Sequence, residues 1–517
     1  MKTKLVILLM ALATGAVSPA MAEITRAKVT GGEIAGTALD GVSEFKGIPF
    51  AAPPVGALRW KAPQPVKPWA GVRQTIRFGT ACMQTGGGGG AGPGIPYGED
   101  CLYIDVWTPA KSPGEKLPVI AWIYGGAFAA GATSNPLYDG TNFAKRGVVF
   151  VSISYRVGPF GFLATPELSR ESGHGSGNYG LLDMIAGLKW VQANVSKFGG
   201  DPSKVTILGH SAGGWGVSML AASPLAKGLF RGVISESGAN FTPPQDTPWA
   251  GTTLQTLRMA EQGGQAYLDK LGVHGLAEAR ALPADKVLAG VRSGGARFWP
   301  PLDGYVNRAD QFLLWKQGRF NDTPIMVGDV SDEGAAFGVR KTTAAAFEDQ
   351  VRKDYGKAAD AILAAYPHAT DEEATRASTE LASDTTFDWG QFTWAREQSA
   401  YGAGKVHVYW FDKPTERDPN GSPHGSEVAY VFGNLGLRGP GPATEDRALS
   451  EQMQTYWVNF AKTLDPNGAG ALPWPAFTTA DPVVMRFGRE PGAAPDPIAA
   501  RLKVLDGYYD WRRNGSK

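Results

Sequence analysis

The chain has 517 residues, with 50 Lys and Arg against 49 Asp and Glu and a formal net charge of +1. So even a balance gives no overall field to draw a nucleic acid or an anionic membrane surface, and a neutral small molecule fits better as a partner. Two cysteines in the whole chain exclude a disulfide-dense scaffold, and no repeat or long linker divides a length well above the usual figure of about 150 residues per domain.

The first 22 residues, MKTKLVILLMALATGAVSPAMA, carry Lys2 and Lys4, an apolar run from Leu5 to Ala13 and the small-residue pattern Ala20-Met21-Ala22. This is the layout of a signal peptide cleaved near Ala22, and the run falls well short of the roughly 20 apolar residues that span a bilayer. A secreted or periplasmic product with no membrane span is expected, and residues 23 to 517 are read as a single α/β domain. In an oxidising compartment Cys82 and Cys101 are expected to form one disulfide. Between them stand Gly86 to Gly90, in a Gly- and Pro-rich stretch, 86 to 98, that reads as a loop, as does 434 to 443. No Gly-Lys-Ser/Thr follows the glycines, so they do not form a phosphate cradle.

Apolar runs without alternation come next, at 119 to 124, 148 to 153, 205 to 208, 232 to 234, 324 to 327 and 406 to 410. Such runs suit strands covered on both faces. A helical pattern over 181 to 198 ends at Gly199-Gly200, and 250 to 400 is more helical, as a cap over the sheet would be. Alternating strand and helix predict an α/β fold with a mostly parallel central sheet flanked by helices, whose ligands bind at the carboxyl ends of the strands.

The run 205 to 208 leads into Gly209-His210-Ser211-Ala212-Gly213, a G-x-S-x-G sequence. With 68 glycines the pentapeptide alone is weak; a buried strand before it and a helical segment, 215 to 222, after it predict a nucleophilic Ser211 on a strand-to-helix turn. The hydroxyl needs a base, and six histidines are available. His210 adjoins Ser211, where neighbouring side chains diverge; His407 lies inside an apolar strand. His174, His274 and His368 have no preceding strand to place them. His424, after the strand at 406 to 411 and a polar loop, is the best-placed base. The third member is a carboxylate after the strand at 324 to 328, where Asp329, Asp332 and Glu333 stand, and residue chemistry does not rank them. Backbone N–H groups for a developing oxyanion are expected from Tyr124-Gly125-Gly126-Ala127-Phe128, after the strand at 119 to 124, and from Ala212.

These motifs resemble the type B carboxylesterases, a family that includes cholinesterases, para-nitrobenzyl esterases and many secreted bacterial and fungal esterases. The resemblance spans nearly the whole chain after residue 22. It is carried by Phe45-Lys46-Gly47-Ile48-Pro49-Phe50-Ala51, Glu99-Asp100-Cys101-Leu102-Tyr103-Ile104, Gly199-Gly200-Asp201-Pro202, Ser235-Glu236-Ser237-Gly238, Asp332-Glu333-Gly334, His424-Gly425, Tyr430-Val431-Phe432-Gly433 and Asn459-Phe460-Ala461-Lys462. It implies an α/β-hydrolase fold and a catalytic set of Ser211, His424 and Glu333. It also implies oxyanion donors at Gly126, Ala127 and Ala212, with alanine where G-G-G is frequent, and a Cys82–Cys101 pair. It places the glycine loop at the pocket mouth, where a tethered lip could adjust to the substrate.

The expected activity is hydrolysis of small to medium neutral esters through an acyl-enzyme, with no metal or organic cofactor. Trp215, Phe298, Trp299 and Phe337 are candidate pocket walls. Two alternatives share the scaffold: a catalytically silent binding protein, and a lactonase or peptidase.

Overall fold

The structure is a computed structural model that describes residues 23–85, 90–248, 250–251, 254–294, 297–338, 341–414, 419, 421–438 and 443–514. Residues 1 to 22, expected to be a signal peptide, and glycines 86 to 89 lie outside the described residues. No helix among the described residues is long and apolar enough to cross a membrane.

Eleven strands form the main sheet. In chain order they are β1 (Thr37–Leu39), β2 (Val42–Pro49), β3 (Tyr103–Thr108), β4 (Leu117–Ile123), β5 (Val149–Ile153), β6 (Gly200–His210), β7 (Gly232–Glu236), β8 (Ile325–Val330), β9 (Val406–Asp412), β10 (Val483–Gly488) and β11 (Gly492–Pro495). Their spatial order is β11-β10-β9-β8-β7-β6-β4-β5-β3-β2-β1. The run from β10 to β5 is parallel throughout, and antiparallel strands close both edges. Every residue of β5, β7, β8 and β9 is buried, which is why these strands read as unbroken apolar runs in the sequence.

Register aligns the strand ends that matter. Gly209 lies opposite Ile123 on one side and Ser235 on the other, and His210 opposite Glu236. The carboxyl ends of β4, β6 and β7 therefore meet at one level in the middle of the sheet, with β8 and β9 beside them. Connections leaving that edge can converge on one point.

Helix α1 (Tyr179–Asn194) continues through a 3-10 turn, Val195–Phe198, and ends at Gly199 in the left-handed region with φ 77°. Helix α2 (Ala212–Ala222) starts immediately after Ser211 and is buried along its whole length. The region expected to be helical contains α3 (Leu257–Lys270), α4 (Ala284–Gly294), α5 (Ala344–Tyr355), α6 (Asp371–Ser383) and α7 (Trp389–Tyr401). Its two ends do different work. A small apolar core with Trp60, Phe160, Tyr267 and Val287 holds α3 and α4. Helix α7 instead lies on β8 and β9, and its Gln391 donates Nε2–H to the carbonyls of Ser235 at 3.1 Å and Gly328 at 3.2 Å. Between α6 and α7 the chain makes a π turn, Asp384–Asp388.

Candidate active site

Ser211 has φ 57° and ψ −124°, a conformation that a residue with a Cβ adopts only under constraint, at a cost on the order of 1–3 kcal/mol. The constraint is visible. Its N–H donates to the carbonyl of Glu236 at 2.8 Å, and its carbonyl accepts the N–H of Trp215 at 2.9 Å. The flanking glycines are needed for close approach, since the positive φ falls on the serine itself. A Cβ at Gly209 would lie 2.3 Å from the carbonyl oxygen of Gly213, and one at Gly213 would lie 2.0 Å from that of Ile123. The sequence fits because nothing larger than hydrogen does.

The chain after β4 crosses in front of this turn. Gly126 has φ 120°, and Ala127 and Phe128 both have φ 54°. The loop is held by hydrogen bonds from Ala129 N–H to Gly126 O at 2.9 Å and from Gly158 N–H to Phe128 O at 2.6 Å. A Cβ at Gly125 would lie 2.9 Å from the Cβ of Ser211, so loop and serine are in contact. Among the described residues, the N–H groups of Gly126 and Ala127 donate to no protein acceptor, and the Ala212 N–H opens α2, where no intrahelical acceptor exists.

His424 Nδ1 is hydrogen-bonded to a carboxylate oxygen of Glu333, and the other Glu333 oxygen accepts the Val330 N–H at 3.1 Å. The loops that carry the two residues are stitched together: Asp332 N–H donates to Ser422 O at 3.0 Å, and Ser422 N–H to Ser331 Oγ at 2.9 Å. Of the three carboxylates, Asp329 at the end of β8 and Asp332 and Glu333 after it, the structure brings Glu333 to the imidazole. Burial opposes a charged His424, but the buried Glu333 carboxylate and its hydrogen bond, with Glu427 behind, outweigh it and raise the pKa above the ordinary histidine value. His424 Nε2 is buried with no hydrogen-bond partner among the described residues. His407 is indeed a core residue, its pKa lowered to about 4 by burial.

His210 reaches the same region. Its ring centroid lies 4.7 Å from that of His424, and its Nε2 is 3.8 Å from Glu427 Oε1. Gly425 leaves room for this: a Cβ there would sit 3.1 Å from the His210 ring. Two histidines and two carboxylates thus meet at the end of the strand that leads into Ser211. Glu427, three residues after His424, was unmarked in the sequence, where it reads as part of a helix start.

A second acidic group backs Glu333. Asp329, Glu333 and Asp388 each bring an oxygen within 4.8 Å of the others, the one set among the described residues that could hold a cation. Burial, reinforced by neighbouring carboxylates that include Glu333, pushes the carboxyls of Asp329 and Asp388 well up toward the protonated form. Protons therefore compete with any cation there.

Aromatic rings pack around this region. Trp215 lies 5.2 Å, between ring centroids, from both Trp299 and Phe387; Trp299 meets Phe128 at 4.9 Å; Phe387 meets His424 at 4.6 Å. Phe337 is 65% exposed and stands 5.3 Å from the His424 ring, at the rim. Phe298 packs on Tyr267 at 4.9 Å. Phe387 and Asp388 were not found from sequence. Both arrive through the π turn, whose extra residue per turn re-aims side chains in a way no periodic pattern announces.

Cys82 and Cys101 form the disulfide. Gln84 and Thr85, just after Cys82, line a cavity of about 290 Å³ together with Ala127, Phe298 and Trp299.

Comparison with known proteins adds family to geometry. The model of the carboxylesterase family matches residues 19–503. The chain is 36% identical over 473 residues to the fumonisin B1 esterase of Sphingopyxis macrogoltabida, covering 87% of this chain and 84% of that one. It is 37% identical over 473 residues to the para-nitrobenzyl esterase of Bacillus subtilis (strain 168), covering 86% and 91%. A solved PNB esterase superposes with a TM-score of 0.81 at 33% identity, over 93% of this chain and all of that one, so the two share the α/β-hydrolase fold.

Proposed function

Since the chain belongs to the carboxylesterase family, and is on that ground a carboxylic ester hydrolase, we propose that it cleaves small to medium esters through an acyl-enzyme on Ser211. The observations that carry this reading are the constrained Ser211 turn and a buried His424, bonded to Glu333, whose ring lies 4.7 Å from that of His210, the residue before Ser211. His424 Nε2 takes the hydroxyl proton as the serine oxygen attacks the ester carbonyl. The N–H groups of Gly126, Ala127 and Ala212 receive the oxyanion, while Glu333 fixes the imidazole through Nδ1 and stabilises its charged form. The proton then passes to the leaving alcohol, and His424 activates water to release the acid and free the serine. Loss of one oxyanion donor typically costs about 10² to 10³ in rate.

Residues 1 to 22 act, in this reading, as an export signal, and the product works outside the cytoplasm. The Cys82–Cys101 disulfide is consistent with that compartment. Residues 23 to 517 work as one catalytic unit, in which the helical segment after residue 250 walls the pocket.

Stoichiometric labelling by an organophosphate, mapped to the peptide with Ser211, tests the assignment. Labelling there, with loss of p-nitrophenyl acetate turnover, is the expected result; an unlabelled protein that turns over no ester would mark a silent binding scaffold.

A further inference from the structure

The cavity beyond Ala127 has one charged residue in its lining. Its other walls include Leu288, Phe298, Trp299 and the backbone of Gly158, and the exception is Arg297. The guanidinium stacks 4.5 Å from the Trp299 ring centroid, within the range of a cation–π contact. Trp299 in turn touches Phe128 of the loop in front of Ser211 and Trp215 of α2. The cation thus stacks on a ring that also touches the loop in front of Ser211.

What distinguishes Arg297 is the lack of an acid. The arginines with largely buried side chains in this part of the molecule are paired: Arg59 with Glu99 at 2.5 Å, Arg156 with Asp183 at 2.7 Å, and Arg280 with Glu171 at 2.6 Å. Arg297 has no carboxylate within salt-bridge distance among the described residues. The residue is exposed at the cavity mouth, yet desolvation lowers its pKa and no neighbouring acid offsets the cost. A guanidinium stacked on a ring keeps its planar fork of N–H donors for a ligand, and that fork matches a carboxylate.

We propose that Arg297 is a specificity determinant that receives a carboxylate of the substrate, so that the preferred esters carry an anionic group on the part that passes Ala127. The inference rests on the ester-hydrolase reading of Ser211 and deepens it to a substrate class. It also departs from the neutral ester expected from composition. A net charge of +1 averages over the whole surface, whereas selectivity is set by the one charge that faces the bound molecule.

The test compares matched pairs of substrates. On the acyl side these are p-nitrophenyl hemiesters of adipate and suberate against their methyl-capped forms. On the alcohol side they are the acetate ester of a hydroxy acid against the same compound capped as its methyl ester. The ratio of kcat/KM, anionic over neutral, cancels any general loss of active protein. For one side at least, this ratio should exceed about 10 in the wild type and fall with added salt. In Arg297→Gln it should fall about 10- to 100-fold, and Arg297→Lys should keep part of it. A ratio near or below one for both sides, or an Arg297→Gln variant that slows both members equally, overturns the proposal. If Arg297→Gln yields no folded protein, the wild-type ratio, its salt dependence and Arg297→Lys decide. Failure of the underlying reading looks different: no turnover of either member by the wild type, or turnover that Ser211→Ala leaves intact.

Discussion

Two regions meet at Ser211 and are built by opposite means. On the sheet side, the turn after β6 and the loop after β4 are backbone constructions. Their atoms are so close that single Cβ atoms at Gly209, Gly213 or Gly125 would overlap a carbonyl or the serine itself. On the helical side, Trp215, Trp299, Phe387 and Phe337 form a wall of side chains drawn from four separate segments, one of them a rim residue 65% exposed. The first arrangement tolerates almost nothing; the second can be repacked. The chemistry is accordingly assigned to the rigid side and the choice of substrate to the adaptable one.

Substitutions should separate the two sides. Ser211→Ala removes the proposed nucleophile and should cut kcat by about 10⁶-fold for every ester, measured with p-nitrophenyl acetate against the uncatalysed rate. Glu333→Gln keeps the shape while losing the charge that holds the imidazole, and about 10⁴-fold is expected. Trp299→Ala or Phe387→Ala should instead reorder a series of acyl chain lengths, shifting relative kcat/KM by about tenfold per methylene-sized change in fit. A uniform loss across the series for Trp299→Ala, or a reordering by Glu333→Gln, would break the division.

The pH behaviour sharpens the same contrast. His424 must be neutral to take the serine proton, and its pKa is raised above the ordinary value of 6.5. The rising limb of kcat/KM should therefore be centred above pH 6.5; a limb at or below it would contradict the Glu333 pairing. Asp388 sits behind this pair with its carboxyl pushed up by burial and by Asp329 and Asp384. A folded pKa above the unfolded one means a contribution that is full below the unfolded value and is lost as pH rises through the folded value. Asp388→Asn mimics the protonated form, so the stability that this group loses as pH rises above the ordinary carboxylate range should be absent from the variant, measured as a smaller loss of denaturation midpoint with rising pH than in the wild type. Removing the disulfide, as the double change Cys82→Ser and Cys101→Ser, should cost roughly 3 kcal/mol of stability with smaller effects on rate.

The same division explains what could be read from the sequence. The turn at Ser211, the glycines before Phe128 and the buried strands were legible because each is specified locally, by a short motif or an apolar run. His424 came from elimination among six histidines, and its choice of Glu333 over Asp329 and Asp332 needed either family resemblance or the hydrogen bond itself. His210 was set aside on the ground that adjacent side chains diverge. Gly425 opens the space that lets its ring lie beside His424, and that is a long-range contact. Phe387, Asp388 and Glu427 carry no motif, since a π turn and a helix start placed them. In the segment from 250 to 400, helix α7 lies on β8 and β9, a placement that amphipathic patterning does not distinguish from a cap.

The central claim is an acyl group on Ser211 during turnover. Mixing the protein with a p-nitrophenyl ester, quenching in acid within the first turnover and mapping the mass gain tests it directly. One acyl group on the peptide containing Ser211, formed with a burst of p-nitrophenolate and absent in Ser211→Ala, is the predicted result. Hydrolysis at full rate with no burst and no adduct, or an adduct on another residue, would contradict it.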